Sequence, residues 1–144
     1  MQGDYKADVT PSECWTRLKE NENAYLVDVR TRPEWTFVGI PQLDEAGKKP
    51  LLAEWQTYPS MAIDPNFASH VSQAIESAGG DRDAEVYFLC RSGQRSASAA
   101  AALTAHGFAN CFNISGGFEG PPDDNGHRGK RSGWKAESLP WQQG

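Results

Sequence analysis

The chain has 144 residues, of which 38% are hydrophobic and 23% charged, with a net charge of -5 and a pI near 5.1. That length supports one folded domain with a sufficient core, and the acidic balance argues against non-specific nucleic-acid binding. No stretch approaches the ~20 apolar residues of a membrane span, and Met1 to Lys6 lack the apolar run of a secretory signal, so a soluble, cytoplasmic protein is expected.

In chain order, Thr10-Pro11-Ser12-Glu13 opens a first helix, with Thr10 as cap, Pro11 at the first helical position and Glu13 completing a capping box. This helix runs to about Glu20, with Cys14, Trp15 and Leu18 at helical spacing. Ala24 to Val29 is apolar enough to be a strand buried on both faces. Thr31-Arg32-Pro33-Glu34 repeats the capping pattern and starts a short second helix, which Gly39-Ile40-Pro41 ends. A polar connection from Gln42 to Pro50 leads to a strand over Leu51 to Thr57. The next helix begins at Asp64-Pro65-Asn66-Phe67, carries Phe67, Val71, Ile75 and Ala78 on one face, and stops at Gly79-Gly80. Glu85 to Cys90 reads as the central strand, Arg91 to Gln94 as a polar loop, and Arg95 to His106 as an alanine-rich helix closed by Gly107. A last strand over Asn110 to Ile114 precedes the turn Ser115-Gly116-Gly117. This alternation predicts an α/β fold with a parallel sheet and helices on both faces. One domain over residues 1–144 is expected, with a core over about 8–120 and a tail, 121–144, whose aromatics pack back on it.

The chemistry concentrates at Cys90. A cysteine between an apolar strand and a helix lies at the carboxyl edge of a parallel sheet, where ligand sites form. The loop Arg91-Ser92-Gly93-Gln94 can turn its N–H groups inward, and such a row of donors beside a helix N-terminus favours an anion. Arg91 and Arg95 add fixed positive charge that the acidic chain otherwise lacks. These surroundings favour a thiolate, the nucleophilic form of cysteine. Cys14, on an apolar helix face, and Cys111, inside a strand, read as small buried hydrophobes. The three cysteines have neither disulfide-framework nor zinc-ligand spacing, so a reducing compartment and no metal or cofactor are expected.

The segment Cys90-Arg91-Ser92-Gly93-Gln94-Arg95-Ser96 resembles the active-site loop of rhodanese-like domains. The resemblance extends to Leu26-Val27-Asp28-Val29-Arg30, Pro33-Glu34-Trp35, Val38-Gly39-Ile40-Pro41 and Gly116-Gly117-Phe118-Glu119-Gly120, and covers roughly residues 8 to 120. It implies a five-stranded parallel sheet flanked by helices and a thiosulfate sulfurtransferase. Cys90 would bear a persulfide, the backbone of Arg91 to Arg95 would cradle the outer sulfur, and Arg95 would close the loop. Implied partners are a thiosulfate-like donor and a thiol or cyanide acceptor, with a protein acceptor as a further candidate. Related cysteine phosphatases and arsenate reductases place one residue more between cysteine and arginine, and the shorter loop goes with sulfur transfer. A non-catalytic binding or sulfur-carrier module on the same fold is the other alternative; the intact Cys90 and both arginines argue against it.

Asp28 and Arg30 end a strand on the same side of the sheet as Cys90. The resemblance implies that they brace the site; an ordinary surface ion pair is the competing reading. Glu34 reads as a helix cap rather than a catalytic acid. Pro121 to His127 lacks the acidic ligand that would complete a calcium loop, and the basic run Arg128 to Arg131 reads as solvated charge. His70, His106 and His127 are scattered and take no role.

Overall fold

The computed structural model describes residues 4–143 and is built on a five-stranded sheet. Across the sheet the strands run β1 (Ala7–Val9), β8 (Cys111–Ile114), β7 (Glu85–Leu89), β2 (Ala24–Asp28) and β4 (Leu51–Leu52). Every neighbouring pair is parallel. The expectation drawn from the first residues of the chain concerns in part residues 1–3, which lie outside the described residues. No described helix is long and apolar enough to cross a membrane.

The period-two alternation of the strands divides the core into two layers. Val27, Val29, Val86, Phe88 and Cys90 pack on one face against α3 (Phe67–Ser77) and α4 (Gln94–Ala105). Leu26, Tyr87, Leu89 and Ile114 pack on the other with Cys14, Trp15 and Leu18 of α1 (Pro11–Glu20). Both faces of β2 and β7 are therefore apolar, as a sheet covered by helices on both sides requires. Thr10 and Glu13 cap α1 reciprocally at 3.1 Å. The alanines of α4 do a different job: Ala97, Ala99 and Ala100 are buried, and their small side chains let the helix lie close on the sheet.

Three local expectations change. The segment 51–57 is not one strand: β4 ends at Leu52, and Ala53 and Trp55 donate to the last carbonyls of the β2 edge, Asp28 (3.1 Å) and Val29 (3.2 Å). With those acceptors used, the chain leaves the sheet, and β5 (Gln56–Thr57) turns into an antiparallel hairpin with β6 (Ala62–Ile63). On α3 the buried stripe is Phe67, Val71, Ser72 and Ile75, and Ala78 is exposed because the helix has already ended at Ser77. Finally, two short strands emerge that the pattern did not reveal, β3 (Ile40–Pro41) and β9 (Trp141–Gln142), paired antiparallel.

That last pairing draws the tail onto the domain. Trp134 is fully buried, meets Trp15 edge-on with centroids 6.0 Å apart, and donates from its indole to the Pro140 carbonyl at 2.7 Å. Its backbone N–H donates to Gly117 (2.8 Å), and that of Lys135 to Phe118 (3.1 Å). Residues 134 and 135 thereby buttress the turn after β8, next to the carboxyl edge of β7.

Candidate active site

Cys90 follows the last residue of β7, and α4 begins four residues later at Gln94. The thiol is nearly buried, at 1% exposure, yet it lines a concavity of about 90 Å³ together with Arg91, Ser92, Gln94 and Arg95. The Gly93 N–H donates to Sγ at 3.1 Å. Gly93 holds φ at 120°, a left-handed value that a side chain would strain, and this turn is what aims its N–H at the sulfur. The Ser96 hydroxyl, one turn into α4, also lies 3.1 Å from Sγ.

The loop rests on the backbone of the 116–120 turn. Phe118 donates to the Cys90 carbonyl at 2.8 Å, and Glu119 and Gly120 donate to that of Arg91 at 3.0 and 3.1 Å. Gly117 allows this approach: at its φ of 61°, a Cβ would run into the Cys90 carbonyl oxygen and the Arg91 carbonyl group.

The two arginines are placed differently. Arg91 is exposed at the rim, whereas Arg95 is half-buried and grips Glu34 of α2 (Arg32–Phe37) through hydrogen bonds of 2.7 and 2.9 Å. Burial alone would raise the Glu34 carboxyl, but the Arg95 guanidinium and the Thr31 backbone and hydroxyl donors hold it down at about 2. Burial works against the Arg95 cation, yet the Glu34 carboxylate raises its pKa overall. Glu34 also accepts from the N–H of Thr31 at 3.2 Å, so a single carboxylate caps α2 and clamps the active-site loop.

Asp28 and Arg30 are fully buried, which excludes the surface ion pair. Arg30 donates to both Asp28 carboxylate oxygens, at 2.9 and 2.7 Å, and to the Gly39 carbonyl at 2.6 Å. Its guanidinium lies 4.3 Å from the Phe118 ring centroid, on the turn that supports Cys90. Register pairs Asp28 with Leu89, the residue before Cys90. This pair touches the scaffold of the loop rather than its sulfur.

Outside the loop lies a wider cavity of about 390 Å³, lined by Glu34, Val38, Gln56, Met61, Arg91, Arg95 and Glu119. Gln56 and Met61 come from the β5–β6 hairpin; the sequence pattern had placed Gln56 in the strand over Leu51 to Thr57 and had assigned Met61 to no element. Ser96 and the clamp by Glu34 were also missed as parts of the site. Their signals were present: Ser96 sits one position after Arg95 in the motif, and Glu34 is the only acidic residue in the Pro33-Glu34-Trp35 segment. The other two cysteines are remote in character. Burial raises the Cys14 thiol well above its ordinary range and pushes Cys111 to about 11. No described group of three or more His, Cys, Asp or Glu residues is disposed to hold a metal ion.

Fold and loop together define an α/β domain of the class that presents a cysteine at the carboxyl end of a central parallel strand, with a loop N–H donating to its sulfur. The chain belongs to the rhodanese-like domain family, whose match spans residues 10–120. It is 42% identical over 135 residues to the RP600 homologue of Rickettsia rickettsii, covering 94% of this chain and 96% of that protein. A chloroplastic rhodanese-like domain-containing protein of Arabidopsis thaliana is 27% identical over 128 residues, covering 89% of this chain but 24% of that protein. Among solved structures, Rv0390 from M. tuberculosis superposes with a TM-score of 0.83 at 42% identity, over 98% of this chain and all of its own. A polysulfide-sulfur transferase homodimer from Wolinella succinogenes shares the fold, with a TM-score of 0.57 at 19% identity over 97% of this chain and 80% of that one.

Proposed function

We propose that the protein is a sulfurtransferase that carries sulfane sulfur as a persulfide on Cys90. The observation that carries this reading is a sulfur held at 3.1 Å from the Gly93 N–H in a concavity whose open rim bears the Arg91 cation. In the first half-reaction the Cys90 thiolate attacks the outer sulfur of a thiosulfate-like donor. The donor S–S bond breaks, and sulfite leaves with the bonding electron pair. The persulfide's terminal sulfur carries the negative charge among the loop N–H groups and Arg91. In the second half-reaction a nucleophile such as cyanide or a thiolate attacks that terminal sulfur, and Cys90 departs as thiolate.

Arg91 would recruit the anionic donor, Ser92, Gly93 and Gln94 would form the cradle, and Arg95 would fix its shape through Glu34. Asp28 and Arg30 would hold the support beneath it by way of Phe118 and Gly39. Cys111 begins β8, opposite Val86 at the far end of β7, and Cys14 is buried on the sheet-facing side of α1, so neither stands ready to resolve the persulfide. The sulfur must therefore leave on an external acceptor, a small thiol, cyanide or a second protein.

Thiosulfate treatment followed by intact-mass analysis tests the reading. The expected result is a gain of one sulfur, mapped to Cys90 and removed by cyanide as thiocyanate. Cys90→Ser should take up none. No adduct, an adduct on Cys14 or Cys111, or aryl-phosphate hydrolysis lost in Cys90→Ser would overturn it.

A further inference from the structure

Behind the Cys90 sulfur runs a chain of polar side chains whose hydrogen-bond direction is fixed from its far end. Ser96 Oγ lies 3.1 Å from Sγ and donates at 2.5 Å to Asn113 Oδ1. Asn113 Nδ2 donates at 3.0 Å to the Asp8 carboxylate. Ser96 is fully buried and Asn113 nearly so, at 7% exposure. Asp8 sits on the edge strand β1, in register with Asn113 on β8, and is exposed to solvent.

An ionised carboxylate only accepts hydrogen bonds. Asp8 therefore obliges Asn113 to turn its NH2 group outward and its carbonyl oxygen toward Ser96. That carbonyl claims the single Ser96 proton and leaves the hydroxyl lone pairs facing the sulfur. A Cys90 thiol fits this arrangement, because its S–H donates to Ser96 Oγ. A thiolate does not, because the hydroxyl can serve the sulfur only by abandoning Asn113, and a buried acceptor left unpaired is costly. The persulfide fits again, since its charge has moved to the terminal sulfur and the inner sulfur needs no donor.

We propose that Asp8 and Asn113 are positioning residues that, through Ser96, disfavour the free Cys90 thiolate relative to both the thiol and the loaded persulfide. This rests on Cys90 as the sulfur carrier. The device restrains idle reactivity of the empty site and slows discharge of the loaded one, because the group that departs at discharge is the Cys90 thiolate and a poorer leaving thiolate departs more slowly. It is suited to a carrier that keeps its sulfur until a strong acceptor arrives.

The other charged groups around the sulfur are Arg91 on its own loop, Arg95 on α4 with its partner Glu34 from α2, and Asp28 with Arg30 at the end of β2. On the far side Tyr5 donates to Asp8 at 2.7 Å, and Lys6 bonds Asn110. Asp8→Asn leaves all of these side chains in place and keeps a side-chain oxygen that can accept from Tyr5.

Asp8→Asn removes the obligation on Asn113, which can then flip and donate to Ser96, freeing the hydroxyl proton for the sulfur. The expected result is iodoacetamide alkylation of Cys90 accelerated roughly two- to tenfold at neutral pH, the worth of one hydrogen bond, with the pH profile moved to lower pH. Discharge of the persulfide to cyanide should accelerate in the same direction. In a Ser96→Ala background Asp8→Asn should change neither rate, since the coupling passes through that hydroxyl. Unchanged or slower alkylation in Asp8→Asn overturns the proposal, as does an acceleration that survives in the Ser96→Ala background. Alkylation needs no sulfur donor, so this arm remains readable if thiosulfate fails to load Cys90.

Discussion

Arg95 and Glu34 face each other through two parallel hydrogen bonds of 2.7 and 2.9 Å, tying the first turn of α4 to the first turn of α2. Of the two arginines in the active-site motif, one is thus spent on architecture. Its charge is matched at short range, and Arg91 is left as the exposed cation at the rim of the concavity.

The clamp predicts a pH-dependent stability. Glu34 falls from the ordinary 4.5 to about 2 on folding, so it contributes stability that is fully present above 4.5 and is lost as pH falls through 2. Glu34→Gln should cost about 1.5–3 kcal/mol near neutrality, the range for hydrogen bonds to charged groups. Urea titrations at pH 7 and at or below pH 2 check this, because the gap to wild type should narrow from about pH 4.5 downward and close near 2. A gap of the same size at both pH values would refute it.

The unequal arginines predict unequal kinetics. Arg91→Ala should chiefly raise KM for thiosulfate and leave stability within about 0.5 kcal/mol, as for other exposed positions. Arg95→Ala leaves Glu34 without its partner and should lose about 2–5 kcal/mol together with kcat. Denaturant midpoints and steady-state kinetics on the two variants separate the roles, and equal stability of the two would count against the division.

A third prediction concerns Gly117. Alanine there would be strained by the φ of 61° and would press on the carbonyls of Cys90 and Arg91. The backbone term alone is about 1–3 kcal/mol. On the proposed function, thiosulfate turnover should fall more than stability does, because the displaced segment carries Cys90. Crystallography or Cys90 alkylation rates of Gly117→Ala would show whether the loop moves.

The tail yields the fourth. Trp134 fills the space between Trp15 and the 116–120 turn with no exposure. Trp134→Ala should therefore cost about 3–5 kcal/mol, as for other buried aromatics. It should also weaken sulfur loading by loosening the support under Cys90. Thermal melts together with the thiosulfate mass assay test both, and wild-type behaviour in both would show the tail to be dispensable.

Much of this was legible in the residues. The capped starts of α1 and α2, the apolar β2 and β7, and the Cys90 loop all carry strong local signals, because capping, burial on both faces and strand-to-helix turns are written in neighbouring positions. What escaped is long-range. The pairing of Ile40–Pro41 with Trp141–Gln142 joins segments about a hundred positions apart that have no period of their own. The wiring of Ser96 to Asn113 and Asp8 depends on β8 lying beside β1, and a lone Ser, Asn or Asp announces nothing until the register is known. The break after Leu52 was set by the length of β2, a neighbour, and by no residue within the segment itself.

The antiparallel closure of β9 on β3 also bears on how the protein is made. Residues 134–142 supply the buttress of the 116–120 turn and the strand that seats Gly39, whose carbonyl receives Arg30. On the ribosome Cys90 is synthesised before these residues appear. A nascent chain that has exposed Cys90 but not yet residues 134–142 holds the loop without its buttress, and the support is completed only when that segment has emerged and folded back. Assembly of the loop's support is in this way tied to the emergence of residues 134–142.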